Sequence, residues 1–426
     1  MIEIFDKSEI SARDVLRRDN SASGVEDAVA GIIAAVRRGG DRALSEYAEK
    51  FDGGAPERFE VSPEEMDEAA GAVGPEFIAV LEEAARNIRD FHERQRRQGF
   101  VAAARPGRVM GQNVIPLRRA GIYVPGGTAS YPSTVLMNVI PASVAGVDEI
   151  VVVSPAKNGR IDPAILAAAK IAGAHRVFRC GGAQAIAALA YGTESIPAVD
   201  KITGPGNVFV AEAKRQVYGQ VDIDMIAGPS EILIVADEHS DARCCAADML
   251  SQAEHDKNAS AVLITTSRAL AAEVRSELER QLASLPREEI ARASIDTRGK
   301  IIIVRSIDEA VELANEIAPE HLELCVDEPF AYLGRVRCAG SIFLGRSCPE
   351  PLGDYFAGPN HTLPTGGTAR FFSPLSVDDF VRRSSFIYYT AAALAEDAGK
   401  IEAFARREGL EGHARSIAVR MEGDDK

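Results

Sequence analysis

The chain has 426 residues, enough for about two to three domains, and its 46% of hydrophobic residues is ordinary for a globular protein. Its formal net charge of −15 argues against a nucleic-acid-binding protein, because the basic residues are interspersed with acids instead of clustered. No apolar stretch approaches the ~18 residues that span a bilayer, and the first residues lack a signal pattern. We therefore expect a cytoplasmic protein without membrane contact.

The cysteines show no Cys-x-x-Cys spacing, so we expect neither a disulfide framework nor a thiolate zinc site. We interpret them as small core residues. Two adjacent ones, Cys244 and Cys245, should lie on different sides of a helix. The full set is Cys180, Cys244, Cys245, Cys325, Cys338 and Cys348.

Residues 1 to about 120 have mainly helical periodicity, with amphipathic runs at 25–38, 41–51 and 64–98. Ser62, Pro63 and Glu65 form the typical start of a helix, because a Ser cap is followed by Pro and, three residues on, by Glu. We expect a structural helical region with a solvated, charged surface.

From residue 121 short β-branched runs alternate with Ala-rich helices, which is the pattern of parallel α/β units. The predicted strands are 121–124, 149–153, 176–179, 201–203, 231–236, 261–265, 300–304, 322–326 and 340–344. Glycine-rich loops follow three of these strands, at 125–128, 181–184 and 204–207, and the last leads into a helix at 208–217. None is a GxGxxG or Walker A motif, so these loops predict either an anion site or tight turns.

Residues 349–364 contain four Pro and two Gly around Asp354 and His361. This composition predicts a rigid, irregular loop that holds both side chains in a fixed frame. Such a frame suits a metal site, and a structural turn with a capping Asp is the alternative.

The histidines divide into two groups. We expect His92, His175 and His239 to be solvated, whereas His255, His321, His361 and His413 have polar or acidic neighbours at close spacing. On the predicted helix 241–255, Gln252 and His255 are three residues apart and share a face. The adjacent pair Glu320 and His321 suits proton transfer.

Taken together, the motifs at 251–256, 319–322, 353–364 and 408–413 resemble the histidinol dehydrogenase family. The similarity covers essentially the whole chain and includes residues 123–127 and 227–231. The resemblance implies a zinc- and NAD-dependent enzyme that oxidises L-histidinol through the aldehyde L-histidinal to L-histidine. This is a four-electron reaction and the last step of histidine biosynthesis.

The resemblance also implies roles for individual residues. The proton-transfer pair is Glu320 and His321. The zinc ligands are Gln252, His255, Asp354 and His413. Substrate contacts come from Ser230, Gln252, His255, His321, Asp354, His361, Glu408 and His413, and contacts to NAD come from Tyr123, Gln184 and Asn207.

Within this scheme we assign His321 as the base that removes the hydroxyl proton in the alcohol step. Glu320 is assigned to activate water in the aldehyde step, because a carboxylate normally stays ionised through neutral pH.

The fold implied by the resemblance is α/β, with two discontinuous domains that resemble incomplete dinucleotide-binding, Rossmann-like folds. The predicted segments are an N-terminal arm at 1–17, a first domain at 18–122 and 231–316, a second at 123–230 and 317–372, and a helical tail at 373–426. Tail helices are expected at 377–385 and 391–407. The implied assembly is a homodimer with shared active sites, in which Glu408 and His413 reach the partner chain.

Two alternatives remain open at this point. One is a sister dehydrogenase that oxidises another small alcohol, such as a sulfonated diol. The other is a zinc hydrolase without NAD, in which Glu320 activates the attacking water. The presence of His361 and Glu408, which suit a cationic amino alcohol, favours histidinol.

Overall fold

The computed structural model describes residues 1–16, 24–126 and 130–422. These residues form two compact units, the first from Met1–Arg96 and Leu117–Phe380 and the second from Arg97–Pro116 and Val381–Lys426. The predicted end of the N-terminal arm at residue 17 lies outside the described residues. Residues 127 and 128 of the first glycine-rich loop lie outside them as well.

The strands are β1 (Glu3–Asp6), β2 (Phe100–Arg105), β3 (Arg108–Pro116), β4 (Arg119–Tyr123), β5 (Glu149–Ser154), β6 (Arg176–Arg179), β7 (Lys201–Thr203), β8 (Asp222–Ile223), β9 (Glu231–Ala236), β10 (Ser260–Thr265), β11 (Lys300–Ile303), β12 (His321–Cys325), β13 (Ser341–Leu344) and β14 (Val381–Tyr389). The helices are α1 (Ala12–Val15), α2 (Glu26–Gly39), α3 (Asp41–Phe51), α4 (Pro63–Val73), α5 (Pro75–Glu93), α6 (Pro132–Ala145), α7 (Pro163–Ala172), α8 (Gly182–Tyr191), α9 (Val208–Val217), α10 (Ala242–Ala253), α11 (Arg268–Leu282), α12 (Glu288–Arg298), α13 (Ile307–Ile317), α14 (Pro329–Leu333), α15 (Glu350–Tyr355), α16 (Ala391–Arg407) and α17 (Glu411–Met421).

The first unit contains a five-stranded parallel sheet in the order β6-β5-β4-β7-β8. Numbered from β4, this is the order 3-2-1-4-5, the first five positions of a doubly wound dinucleotide-binding fold. The direction of winding changes between β4 and β7. Ligands of such sheets bind outside the carboxyl ends of the strands at this point.

The same unit contains a six-stranded parallel sheet in the order β1-β11-β10-β9-β12-β13. Numbered from β9, five of its strands repeat the order 3-2-1-4-5, and β1 is added at the edge beside β11. The prediction of an α/β fold with parallel sheets is therefore confirmed, and the strand order is the one expected of two incomplete Rossmann-like folds.

All nine predicted strands are present within a residue or two of their predicted ends. Strands such as β9 and β10 are buried at every position, because helices cover both faces of a parallel sheet. The sheets divide the chain differently from the predicted domain segments. β4, placed in the first domain, pairs within the five-stranded sheet, whereas β12 and β13, placed in the second, belong to the six-stranded sheet.

The two faces of the six-stranded sheet pack into separate cores. Met249 of α10 and Leu278 of α11 pack on one face with Leu263 of β10. On the other face, Val311 of α13 packs with Leu233 of β9. A third core joins the five-stranded sheet to α2, α3, α8 and α9.

The N-terminal helices differ from prediction in one respect. The run predicted at 64–98 is divided into α4 and α5, because Gly74 adopts φ +92° and is followed by Pro75. The start of α4 is confirmed: Ser62 Oγ accepts from the Glu65 backbone N–H at 3.3 Å, and Glu65 bonds back to the Ser62 N–H at 2.9 Å.

The second unit is a three-stranded antiparallel sheet in the order β14-β3-β2, with helices α16 and α17. The predicted helix at 377–385 is wrong: a short 3-10 turn at Val377–Phe380 leads into strand β14, whose sequence ends in Phe-Ile-Tyr-Tyr. Aromatic and β-branched residues favour a strand. The tail is thus only partly helical, although α16 matches its predicted range of 391–407.

Within the second unit, Arg108 of β3 ties the sheet to α16. Its guanidinium bonds to Glu396 at 2.7 Å and to Asp397 at 2.9 Å. Several large apolar side chains of the unit remain exposed, among them Val101 at 72% and Ile387 at 76%. Exposed apolar surface of this kind is typical of an interface.

All six cysteines are free, and Cys244 is exposed while Cys245 is buried, as predicted for opposite sides of α10. Within residues 1–16, 24–126 and 130–422, each helix is too short or too polar to span a bilayer.

Candidate active site

Glu320 and His321 lie at the amino end of β12 in the six-stranded sheet, beside the amino end of β9. Ala318, at the end of α13, adopts φ +52° and is followed by Pro319. A positive φ is unusual for a residue other than glycine. It changes the direction of the chain after α13, and Pro319 then favours the extended backbone that leads into β12. Both functional side chains are buried, with 6% of Glu320 and 3% of His321 exposed.

The two nitrogens of His321 face different groups. Nδ1 lies 3.0 Å from Gln252 Nε2, 3.1 Å from the Glu231 carbonyl oxygen and 3.6 Å from Glu320 Oε2. Nε2 lies 3.5 Å from Asp354 Oδ1. His321 therefore joins the proton-transfer pair to two of the predicted zinc ligands.

Gln252 lies in the last turn of α10, and His255 follows the helix directly. Gln252 Oε1 is 3.0 Å from His255 Nδ1, and the amide is almost fully buried. The prediction that these two residues share one face is confirmed.

Asp354 lies in the short helix α15, so the prediction that 349–364 is irregular throughout is wrong in its first part. Pro349 is the residue before the helix and Pro351 is in its first turn, where a missing N–H costs nothing. The remainder is irregular as predicted. His361 belongs to this irregular part and lies beside Asp354, with its Nδ1 3.0 Å from the Asp354 carbonyl oxygen.

The irregular segment is fixed to α5 and α6 by polar side chains. Asn87 Nδ2 donates to the Phe356 carbonyl at 3.0 Å, and Asn138 Nδ2 lies 3.2 Å from Thr362 Oγ1. Asn138 belongs to α6, which follows β4 of the five-stranded sheet. Its bond to Thr362 therefore connects the segment that carries His361 to that sheet.

His92 also supports this segment, and its predicted solvation is wrong. The residue is 0% exposed, its Nδ1 is 2.7 Å from Gln95 Oε1, and its Nε2 is 3.4 Å from Asn360 Nδ2. The charged neighbours of His92 in the sequence are on the outer face of α5. His175 and His239 are exposed, as predicted.

Glu350 is a site residue that the sequence analysis missed. One donor atom each of His321, Glu350 and Asp354 lie within 4.8 Å of one another. Among the described residues, His321 Nε2 and Glu350 Oε1 are buried atoms without a hydrogen-bond partner. The spacing of Glu350 and Asp354, four residues apart, would have indicated a shared helical face if 350–355 had been interpreted as a helix.

The predicted zinc ligands of the first unit have suitable protonation states. Burial lowers the pKa of His255, so its imidazole is neutral near pH 7. Burial alone would raise the pKa of Asp354, but the imidazoles of His321 and His361 outweigh it and hold the carboxyl well below its ordinary value. A neutral imidazole, an ionised carboxylate and the Gln252 amide oxygen form an N/O donor set that fits zinc.

Burial raises the pKa of Glu320 to about 8. The expectation that this carboxylate stays ionised through neutral pH is therefore corrected. Burial alone would lower the pKa of His321, but the carboxylates of Glu320 and Asp354 raise it to about 10. The pair consequently holds protons at neutral pH more firmly than the isolated side chains do.

The predicted NAD contacts lie at the carboxyl ends of strands in the five-stranded sheet. Tyr123 ends β4, and its hydroxyl oxygen accepts from the Gly182 N–H at 3.1 Å, next to the buried side chain of Gln184 in α8. Asn207 caps α9 by accepting from Phe209 N–H at 3.0 Å.

The loops that carry these residues approach each other closely. Gly204 adopts φ +111°, and a Cβ there would lie 2.0 Å from the Tyr123 carbonyl oxygen. Only glycine fits this position. The absence of a side chain at Gly204 lets the loop after β7 pack directly against the end of β4. The loops meet at the point where the winding of the sheet changes.

The remaining predicted site residues are Ser230, Glu408 and His413. Ser230 is half-buried and directly precedes β9. Glu408 directly follows α16 and His413 lies in the first turn of α17, and both are exposed in the second unit. Their roles remain predictions.

Parallel sheets, with a buried Glu-His pair beside an N/O donor cluster, are the features of an α/β enzyme. The model of the family described as histidinol dehydrogenase matches residues 15–421. The chain belongs to this family. It is an oxidoreductase of histidine biosynthesis that oxidises histidinol.

Curated relatives named histidinol dehydrogenase are similar over nearly their whole lengths. One from Bacillus cereus is 58% identical over 401 residues, covering 94% of each chain. One from Syntrophotalea carbinolica is 54% identical over 422 residues, covering 98% of each chain. A crystal structure of histidinol dehydrogenase from Elizabethkingia anophelis has a TM-score of 0.94 at 36% identity, covering 99% of this chain and 98% of that one. These similarities favour histidinol over the two alternative functions.

Proposed function

We propose that this enzyme uses zinc and NAD to carry out a four-electron oxidation of L-histidinol, through L-histidinal, to L-histidine. The observation that carries the proposal is the buried contact between His321 and both Gln252 and Asp354, at 3.0 and 3.5 Å. It joins a group that can exchange protons with two groups that can hold a metal. A biosynthetic role also fits the cytoplasmic location predicted from the sequence.

Zinc would be held by Gln252, His255 and Asp354, together with His413. When bound, it would orient and polarise the substrate, because zinc itself has no redox activity. His321 Nε2 is buried and has no hydrogen-bond partner among the described residues, which supports a polar ligand next to it.

NAD, when bound, would accept the hydride of each oxidation. We place it at the carboxyl ends of β4 and β7, against Tyr123, Gln184 and Asn207. The support is the strand order 3-2-1-4-5 and the convergence of the loops at Gly204.

The protein side chains would manage the protons. In the alcohol step, His321 Nε2 would take the hydroxyl proton, for which its Nδ1 proton must be held by the Glu231 carbonyl at 3.1 Å. The negative charge of Asp354 helps to keep His321 protonated. A cation bound by Asp354 would offset this charge and so lower the pKa of His321. In the aldehyde step, Glu320 would remove a proton from the attacking water.

We further propose a homodimer in which Glu408 and His413 complete the partner's site. Both side chains are exposed in the second unit, which also presents exposed Val101 and Ile387. An isologous two-fold dimer would bury such apolar surface twice. Ser230, His361 and Glu408 would then surround the cationic amino alcohol together with the zinc ligands.

The substrate assignment is tested by incubating the purified protein and NAD with L-histidinol while following the absorbance of NADH. We expect NADH to form with L-histidinol and not with a sulfonated diol. NADH formation with the diol alone would contradict the proposal, as would hydrolytic activity that is independent of NAD.

Removal of the metal should abolish the activity. Because zinc would orient and polarise the substrate, the chelated protein should lose its activity, and added Zn²⁺ should restore it. The measurement is the initial rate before and after chelation, with the metal content determined in parallel. Full activity in protein shown to be free of metal would refute the zinc requirement.

A further inference from the structure

Glu350 is a buried carboxylate at the start of α15 to which the proposed chemistry gives no role. The residue is 1% exposed, and its Oε2 accepts a hydrogen bond from Ser251 Oγ at 3.0 Å. Its Oε1 has no hydrogen-bond partner among the described residues. Burying a carboxyl group with one oxygen unpaired costs free energy, so a purely structural role gives no reason for an acidic residue here.

The elements that carry the site meet at this residue. Ser251, which bonds to the carboxylate, directly precedes Gln252 in α10. Asp354 lies one helical turn further along α15, on the same face as Glu350. The Glu350 backbone N–H donates to Glu323 Oε1 of β12 at 2.8 Å. A single residue therefore connects the helix of Gln252, the helix of Asp354 and the strand of His321.

The unpaired atoms around Glu350 share one small polar space. Glu350 Oε1 lies 3.8 Å from His321 Nε2, which is also buried without a partner in the described part of the chain. The nearest Asp354 ligand atom belongs to the same group within 4.8 Å. Buried unpaired polar atoms in native proteins mark sites of catalysis, water or ions.

We propose that Glu350 is a positioning residue that fixes the Asp354 carboxylate and the His321 imidazole for metal and substrate. This inference rests on the proposed function and adds a residue outside the predicted ligand set. Residues that contact a metal ligand without binding the metal themselves orient that ligand, and their removal typically lowers the metal affinity by about 10- to 100-fold.

The test is the zinc affinity of the metal-free full-length protein, measured by competition with a chromophoric chelator. Glu350→Gln keeps the size of the side chain and an acceptor for Ser251 but removes the ionisable group. We expect its zinc affinity to fall about 10-fold or more. Its thermal midpoint should stay the same or rise, because an amide is no more costly to bury than an ionisable carboxyl group. A purely structural role predicts the reverse, a lower midpoint with unchanged zinc affinity.

Two further variants complete the experiment. Ser251→Ala removes the anchor of the carboxylate and should weaken zinc binding by a smaller factor, and it serves as the test if Glu350→Gln does not fold. Glu312→Gln, on an exposed position of α13, should bind zinc like the wild type. Wild-type affinity in the Glu350 and Ser251 variants overturns the inference alone. A wild-type protein that binds no zinc overturns the metal assignment of the proposed function as well.

Discussion

Mixing two inactive variants, Gln252→Ala and His413→Ala, should restore about a quarter of wild-type activity. If the second unit completes the partner's site, a mixed dimer has one site free of both substitutions and one site with both. Random pairing makes roughly half of the dimers mixed, and each contains one intact site of two. The measurement is the histidinol-dependent rate after the two homodimers are unfolded and refolded together.

The matched control is a mixture of Gln252→Ala with His255→Ala. Both residues belong to the first unit, and Gln252 Oε1 lies 3.0 Å from His255 Nδ1. Every site of a mixed dimer then carries one substitution, so no activity should return. If the Gln252 and His413 mixture is equally inactive although mixed dimers are shown to form, each site is built within one chain.

Glu320→Gln should slow the oxidation of L-histidinal by ~10²-fold or more and the oxidation of L-histidinol much less. The amide keeps the shape of the side chain and its acceptor for the Glu231 N–H, which now bonds to Glu320 Oε2 at 2.8 Å. It cannot take a proton from water. The measurement is the rate of each half-reaction with its own substrate, with Glu312→Gln as the control for a lost surface charge.

The pH profile gives this prediction a second readout. Burial raises the pKa of Glu320 to about 8, and only the ionised carboxylate can act as a base. The wild-type rate of aldehyde oxidation should therefore rise with pH through about 8, and this rise should be absent in the variant. Equal losses in both half-reactions, or an unchanged profile, would assign the water activation to another group.

The parallel sheets could be predicted from the sequence because their strands are buried on both faces. Runs such as Ile-Leu-Ile-Val-Ala at 232–236 are continuous and apolar, and turn residues delimit them. Strand order is a matter of tertiary packing, so the two copies of the order 3-2-1-4-5 became visible only in the structure. The second unit was harder to predict from the sequence, because largely exposed strands such as β14 carry mixed polar and apolar residues without a continuous apolar run.

The site was predictable where its residues are close in the sequence and not where packing creates it. Gln252 and His255 are three apart on a helix, and their contact was expected. His92 lies in a charged run, and nothing in its neighbours indicates that α5 turns it inward toward Asn360. Glu350 was missed for a related reason, since a Pro-rich stretch was not interpreted as the first turn of a helix. Protonation states were the least predictable property, because the pKa of Glu320 depends on its burial.

If one active site performs two successive oxidations, the number of NADH molecules formed per L-histidinol shows it most directly. A limiting amount of L-histidinol is consumed completely with excess NAD, and NADH, L-histidinal and L-histidine are quantified. We expect about two NADH per L-histidinol, with L-histidine as the product and little free aldehyde. One NADH per L-histidinol with accumulation of the aldehyde would contradict the account.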